Sequence, residues 1–210
     1  MGKDFIKLLN EIRACRICVD APLRKKLAHE PRPVLQVSQK AKIAICGQAP
    51  GTKVHLSGQP FTDRSGDRLR EWMGIGEDVF YDASKLAIIP MGFCFPGQND
   101  IGADLPPRVE CKATWHDALF AELPQLELII LVGKYAQAYH LKGHPQFHEY
   151  SKLPLYKLVE SYRIFLESPV LPRYLPLPHP SWRNNNWVNK NDWFREDYLP
   201  LLQAKISKLL

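Results

Sequence analysis

Four short apolar runs, each stopped by a glycine or a proline, constrain this chain more than any other feature. Lys42-Ile43-Ala44-Ile45-Cys46 stops at Gly47, and Leu86-Ala87-Ile88-Ile89 at Pro90. Leu128-Ile129-Ile130-Leu131-Val132 stops at Gly133, and Tyr174-Leu175-Pro176-Leu177 at Pro178. None alternates apolar with polar, so each reads as a strand buried on both faces, the pattern of a parallel sheet. Helical spacing fills the intervals. Asp4 to Arg13 places Phe5, Leu8, Leu9 and Ile12 on one face, and Ser65 is a candidate cap for a helix to Ile75 with Leu69, Trp72 and Met73 inward. Further helices are predicted over 110–123, 135–141, 155–165 and 192–210, with long loops over 19–40, 47–63 and 90–107. Alternating strands and helices predict an α/β fold, a three-layer α/β/α sandwich around a four-stranded, mainly parallel sheet, in one domain over residues 1–210.

A parallel sheet gathers the loops that follow its strands at one edge, where such folds bind ligands. Three loops rich in chemistry meet that condition: Gly47 to Gly51, Pro90 to Gly97, and the segment beginning at His179. The net charge of +6 and pI near 9.0 favour an anionic partner. No apolar stretch reaches the roughly 18 residues of a membrane span, and the first fifteen residues lack a signal-peptide core. A cytoplasmic monomer that keeps its thiols reduced and does not contact membrane is the expectation.

Five cysteines are present. Cys46 belongs to an apolar run, which leaves Cys15 and Cys18 as a close pair, with Cys94 and Cys111 far downstream. Four thiolates with one close pair suit either zinc or an iron–sulfur cluster. A zinc ribbon usually supplies two close pairs, whereas the interval between Cys94 and Cys111 opens a wide loop better matched to an embedded cluster. Such a centre would brace the N-terminal arm against the loop after the second strand.

Gly47-Gln48-Ala49-Pro50-Gly51 is a tight turn with exposed backbone N–H groups. Gly58-Gln59-Pro60-Phe61 follows, and Phe61 can offer its ring to a base. Asp63 can orient a water or cap the next helix. His55 is either an acid, base or nucleophile, or a bystander. Near the end, His179-Pro180-Ser181-Trp182-Arg183-Asn184-Asn185 combines an imidazole that can meet a developing anion with groups that can grip phosphates. Trp182 or Trp187 can wedge into a base stack.

In order and joint presence these motifs resemble the uracil-DNA glycosylase superfamily, above all its iron–sulfur branch, over nearly the whole chain. Gly47 to Gly51 with Gly58 to Phe61 is similar to that family's first motif, His179-Pro180-Ser181 to its second, and the four cysteines to its cluster ligands. The resemblance implies a [4Fe–4S] centre on Cys15, Cys18, Cys94 and Cys111, with zinc as the alternative. It implies DNA as partner and a damaged base flipped into the crevice. Phe61 would stack on the base, His179 would bond its carbonyl oxygen, and Gln48 and Ala49 would line the pocket. Ser181, Arg183, Asn184 and Asn185 would meet the DNA, and Gln48, Asp63, His55 and His179 are the catalytic candidates. The chain departs from the family where an acidic residue or Asn is common in the first motif, which here reads Gln48-Ala49. It departs again at Pro90, which stands where many members carry an Asn that reads uracil. The expected activity is hydrolysis of the N-glycosidic bond of uracil or a related damaged base. The alternatives are a non-catalytic nucleic-acid-binding module, or an enzyme acting on another modified nucleotide.

Overall fold

The computed structural model describes residues 2–210. Its sheet has four strands, β1 (Ile43–Cys46), β2 (Leu86–Ile88), β3 (Leu128–Val132) and β4 (Arg173–Leu177), in the order β2-β1-β3-β4. Every pairing is parallel, with Ile43 against both Leu86 and Leu128, and Leu128 against Arg173. The three-layer sandwich expected from the sequence is present, and its sheet is wholly parallel.

Each strand divides its side chains between two cores, as a period of two requires. Ala44, Cys46, Ala87, Ile129 and Leu131 face one layer, where α1 (Lys3–Arg13) packs Phe5, Leu9 and Ile12. Ile43, Ile45, Leu86, Ile88, Ile130 and Val132 face the other. There α3 (Arg64–Met73) buries Leu69, Trp72 and Met73, each contributing about 2 kcal/mol of apolar burial. The first layer is completed by α4 and α5 (Lys134–Lys142). α4 runs through Val109–Cys111, a π-helical turn at Lys112–His116, and Asp117–Ala121. α6 (Leu155–Glu160) and α7 (Tyr162–Leu166) wrap the β4 edge, so that Leu158 joins one core and Val159 the other. α8 (Asn185–Lys190) leads to a π-helical turn at Phe194–Tyr198 and then to α9 (Leu199–Leu209).

Four local expectations are corrected. Asp63, not Ser65, caps α3: its carboxylate accepts the N–H of Gly66 at 3.2 Å. The predicted loop 47–63 contains a short helix, α2 (Thr52–Ser57). The predicted helix 155–165 is broken at Ser161 into α6 and α7. The long N-terminal loop also pairs with the sheet: Gln36 and Ile88 exchange two backbone hydrogen bonds of 3.0 and 2.6 Å. This covers the open edge of β2, which would otherwise expose unpaired amides.

Candidate active site

The loops that leave β1, β2 and β4 converge on one cavity of about 100 Å³. That is the scale of a single six-membered ring, since a void of about 150 Å³ holds benzene. Its wall comprises Gly47 to Gly51, Pro60, Phe61, Asp63, Pro90, Asp104 and His179. Residues more than 130 positions apart in the chain therefore share one space. A second, wider cavity opens at the amino ends of β3 and β4, and it is lined by none of the residues singled out from the sequence.

The first-motif turn is fixed by its carbonyls: Gly47 O accepts from Met91 N at 2.9 Å and Gln48 O from Gly92 N at 3.0 Å. Among the described residues the N–H groups of Gln48 and Ala49 meet no acceptor, which leaves them free for a polar ring. The Gln48 side chain turns away and donates to Leu105 O at 3.1 Å.

Phe61 has φ of 55°, a left-handed backbone unusual outside glycine. Three neighbours hold it there. Tyr81 Oη and Arg70 donate to the Phe61 carbonyl at 3.2 and 3.5 Å. The backbone of α3 passes so closely that a Cβ on Gly66 would lie 1.8 Å from the Phe61 oxygen, so only glycine fits at that position. Arg70 is itself anchored to Asp67 at 2.6 Å and Glu77 at 3.1 Å. The Phe61 ring leans edge-on against Phe80 with centroids 6.0 Å apart, and its tip lies over Gly47. Strain of this kind persists where surrounding contacts over-determine a functional group.

His179 follows β4 and is half-buried. Beside it Gly133 turns at φ of 78°, with its N–H on Leu177 O at 2.9 Å. Burial lowers the pKa of His179 below the usual 6.5, and Arg183 acts in the same direction while Asp63 and Asp104 oppose. The imidazole is therefore neutral at pH 7, with one N–H to donate. The loop beyond it is tied by Asn184, whose amide donates to His179 O at 2.6 Å and whose oxygen accepts from Tyr156 at 2.9 Å. The sequence marked Asn184 for DNA, but both ends of its amide are engaged within the protein. Arg68 holds Ser181 O and the Asn185 side chain. Arg183 is exposed over the ring of Trp182, which is 75% exposed; Trp187 instead stacks on Tyr156 at 4.7 Å. Of the two candidate wedges, Trp182 is the one that projects.

His55 does not line the cavity. It sits on α2 and packs on His29 at 4.7 Å and Phe95 at 5.9 Å, while Arg32 takes the carbonyls of His55 and Leu56. Asp104, unremarked in the sequence, does line it. Its only signal was an acidic residue in the long exit from β2, distant in sequence from either motif.

Cys15 and Cys18 lie on the N-terminal arm, Cys94 on the loop after β2 and Cys111 at the start of α4, none of them in a disulfide. Cys18 and Cys94 pack with Leu27, and Cys18, Cys94 and Cys111 are buried. The neighbouring Cys111 thiol pulls the Cys18 pKa down to about 7, and Arg108 acts in the same sense while burial opposes. Cys94 lies within electrostatic reach of Cys15 and Cys18, and burial pushes it up to about 12. Phe93 N and Trp115 Nε1 donate to the sulfurs of Cys111 and Cys15, both at 3.3 Å. Glu110 and Arg108 pin the N-terminal arm to this loop through Leu23 N and Lys25 O. Among the described residues no three His, Cys, Asp or Glu side chains are gathered closely enough to share one metal ion. Also among them, no helix is long and apolar enough to cross a membrane.

A family model described as the Uracil DNA glycosylase superfamily matches residues 35–203.

Proposed function

The chain belongs to the Uracil DNA glycosylase superfamily, and from that premise we propose that it is a DNA-repair glycosylase acting on uracil or a related deaminated base. The observation that carries this reading is the meeting of the Gln48 turn, the strained Phe61 and the neutral His179 on a cavity sized for one ring. A base extruded from DNA stacks on Phe61 and accepts from the Gln48 and Ala49 N–H groups. As the glycosidic bond breaks, negative charge grows on the base. A preorganised N–H of His179 stabilises it without first having to lose or gain a proton. Asp63 and Asp104 place negative charge opposite, the sign that a cationic sugar carbon requires.

Outside the cavity, Arg183, Ser181 and the free amide end of Asn185 face the phosphates, and Trp182 fills the gap left in the stack. Pro90 bears on specificity. It lines the cavity but has no side-chain amide to read a base edge, so discrimination falls to backbone groups. This supports a deaminated base other than uracil, or another modified nucleotide, as a second reading.

The four thiolates are proposed to hold a [4Fe–4S] cluster. Free sulfurs, three buried and Cys15 half-buried, with N–H donors aimed at two of them fit that group. A single zinc is the alternative for four thiolates, and the wide interval between Cys94 and Cys111 in the sequence favours the cluster. When bound, the cluster supplies bracing between the N-terminal arm and the loop that carries the cavity wall.

The test is incubation with single- and double-stranded oligonucleotides carrying uracil, hypoxanthine or xanthine, scored as alkali-labile sites. Excision of at least one base is expected, reduced at least about 100-fold in His179→Ala and Phe61→Ala. Binding that weakens steeply with salt, with no excision of any base, would refute the catalytic reading in favour of a binding module.

A further inference from the structure

The first motif of this chain carries no carboxylate, yet the cavity wall contains two, Asp63 and Asp104. We propose that Asp104, reaching in from the loop after β2, is the catalytic residue that holds and deprotonates the water attacking C1′ of the deoxyribose. The proposal rests on the glycosylase reading above and names a group for the step which that reading leaves unassigned.

The loop bearing Asp104 is closed by its own hydrogen bonds. Leu105 N donates to Gly97 O and Asn99 N to Ala103 O, both at 2.9 Å, and Asn99 Oδ1 accepts from Ala103 N at 2.8 Å and Ile101 N at 3.2 Å. Gln48 then fastens it to the first motif through Leu105 O, the residue next to Asp104. Gln48 thereby delivers a carboxylate from elsewhere to a turn that has none of its own. Asp104 Oδ1 accepts from Gln98 at 3.1 Å, which fixes the carboxylate plane. Oδ2 has no hydrogen-bond partner among the described residues and lies 3.5 Å from where a Cβ on Gly51 would stand, facing the turn.

Position separates the two acids. Asp63 is half-buried at the start of α3, with Oδ1 committed to the Gly66 N–H. Asp104 is exposed at the cavity mouth. With the base inside against Phe61, its sugar must sit at that mouth. Asp104 is also within electrostatic reach of His179, on which the base carbonyl would rest. The C1′–N bond breaks with its electron pair leaving on the base, whose carbonyl oxygen is bonded by His179. The water oxygen forms the new bond to C1′ and gives one proton to Asp104 Oδ2, from which it passes to solvent.

The experiment compares wild type, Asp104→Asn and Asp63→Asn in single-turnover excision from the best substrate of the oligonucleotide panel. It is paired with equilibrium binding to an oligonucleotide carrying the uncleavable 2′-fluorinated nucleotide. Asn at 104 still accepts from Gln98, and Asn at 63 still caps α3. Asp104→Asn is expected to slow excision by about 100-fold or more and to bind the probe within about threefold of wild type. Asp63→Asn removes a wall charge but not the water-holding group, and is expected to slow excision by a clearly smaller factor than Asp104→Asn. An active wild type with Asp104→Asn within about threefold of it overturns the assignment and leaves the glycosylase reading standing. A wild type that excises nothing overturns both.

Discussion

Two histidines packed among aromatic rings, His116 buried and His140 half-buried, set the acid tolerance of this fold. His116 ends the π-helical turn of α4 and stacks on Phe93 with centroids 5.2 Å apart and planes 8° from parallel. His140, on α5, is enclosed by Phe120 at 5.2 Å, Tyr139 at 5.1 Å and Tyr174 at 6.0 Å. Neither nitrogen of His116, nor Nε2 of His140, has a hydrogen-bond partner among the described residues. Burial lowers their pKa values from 6.5 to about 4 for His116 and about 3 for His140. Both are thus neutral in the fold, while the unfolded chain takes up protons as pH falls through 6.5. Stability is complete above 6.5 and is lost progressively below it, down to the folded values. At about 1.36 kcal/mol per pH unit for each group, the loss by pH 5 is about 2 kcal/mol from each histidine and about 4 together. Total stability of about 5–15 kcal/mol makes that a large fraction. Carboxylates with lowered pKa values lose their contribution at more acid pH, and His116 and His140 carry the largest imidazole shifts, so these two dominate the interval from pH 7 to 5. Urea denaturation followed by far-UV circular dichroism at the two pH values measures the difference. The His116→Phe/His140→Phe double variant keeps the aromatic contacts, removes the titration, and is expected to show a much smaller difference. A wild-type loss under about 1 kcal/mol, or a double variant as pH-sensitive as wild type, would refute the reasoning.

Gly66→Ala places a methyl 1.8 Å from the Phe61 oxygen. It is expected to cost about 1–3 kcal/mol by urea denaturation and to reduce excision at least tenfold, because Phe61 must leave its left-handed position over the cavity; unchanged activity would show that this position is not required. Purified protein is expected to be brown, with about four irons per chain, and Cys94→Ser to lose colour, iron and protease resistance of the N-terminal arm together. Colourless protein with one zinc would rule out the cluster.

The amino-acid order alone determined the layers. Runs such as Leu128 to Val132 are apolar at every position, and only a strand covered on both sides can hide them. The same logic identified Gly47 to Gly51, Phe61 and His179, because chemistry placed just after a buried strand must emerge at the sheet's carboxyl edge. What the order could not express was which polar groups are already engaged. Asn184 reads as a phosphate ligand until Tyr156 and the His179 carbonyl are seen to occupy its amide. Asp63 and Ser65 are equally good caps on paper, and the geometry of the first turn selects Asp63. His55 stands four residues from the first motif, yet the turn of α2 carries it to His29 and Phe95. Asp104 is the reverse case: unremarkable in its loop, it reaches the cavity because Gln48 binds the neighbouring carbonyl. Hydrophobic burial is a property of residue type and period, so it can be read along the chain. Hydrogen-bond partnership is a property of positions a few ångströms apart in space, and only the folded arrangement assigns it.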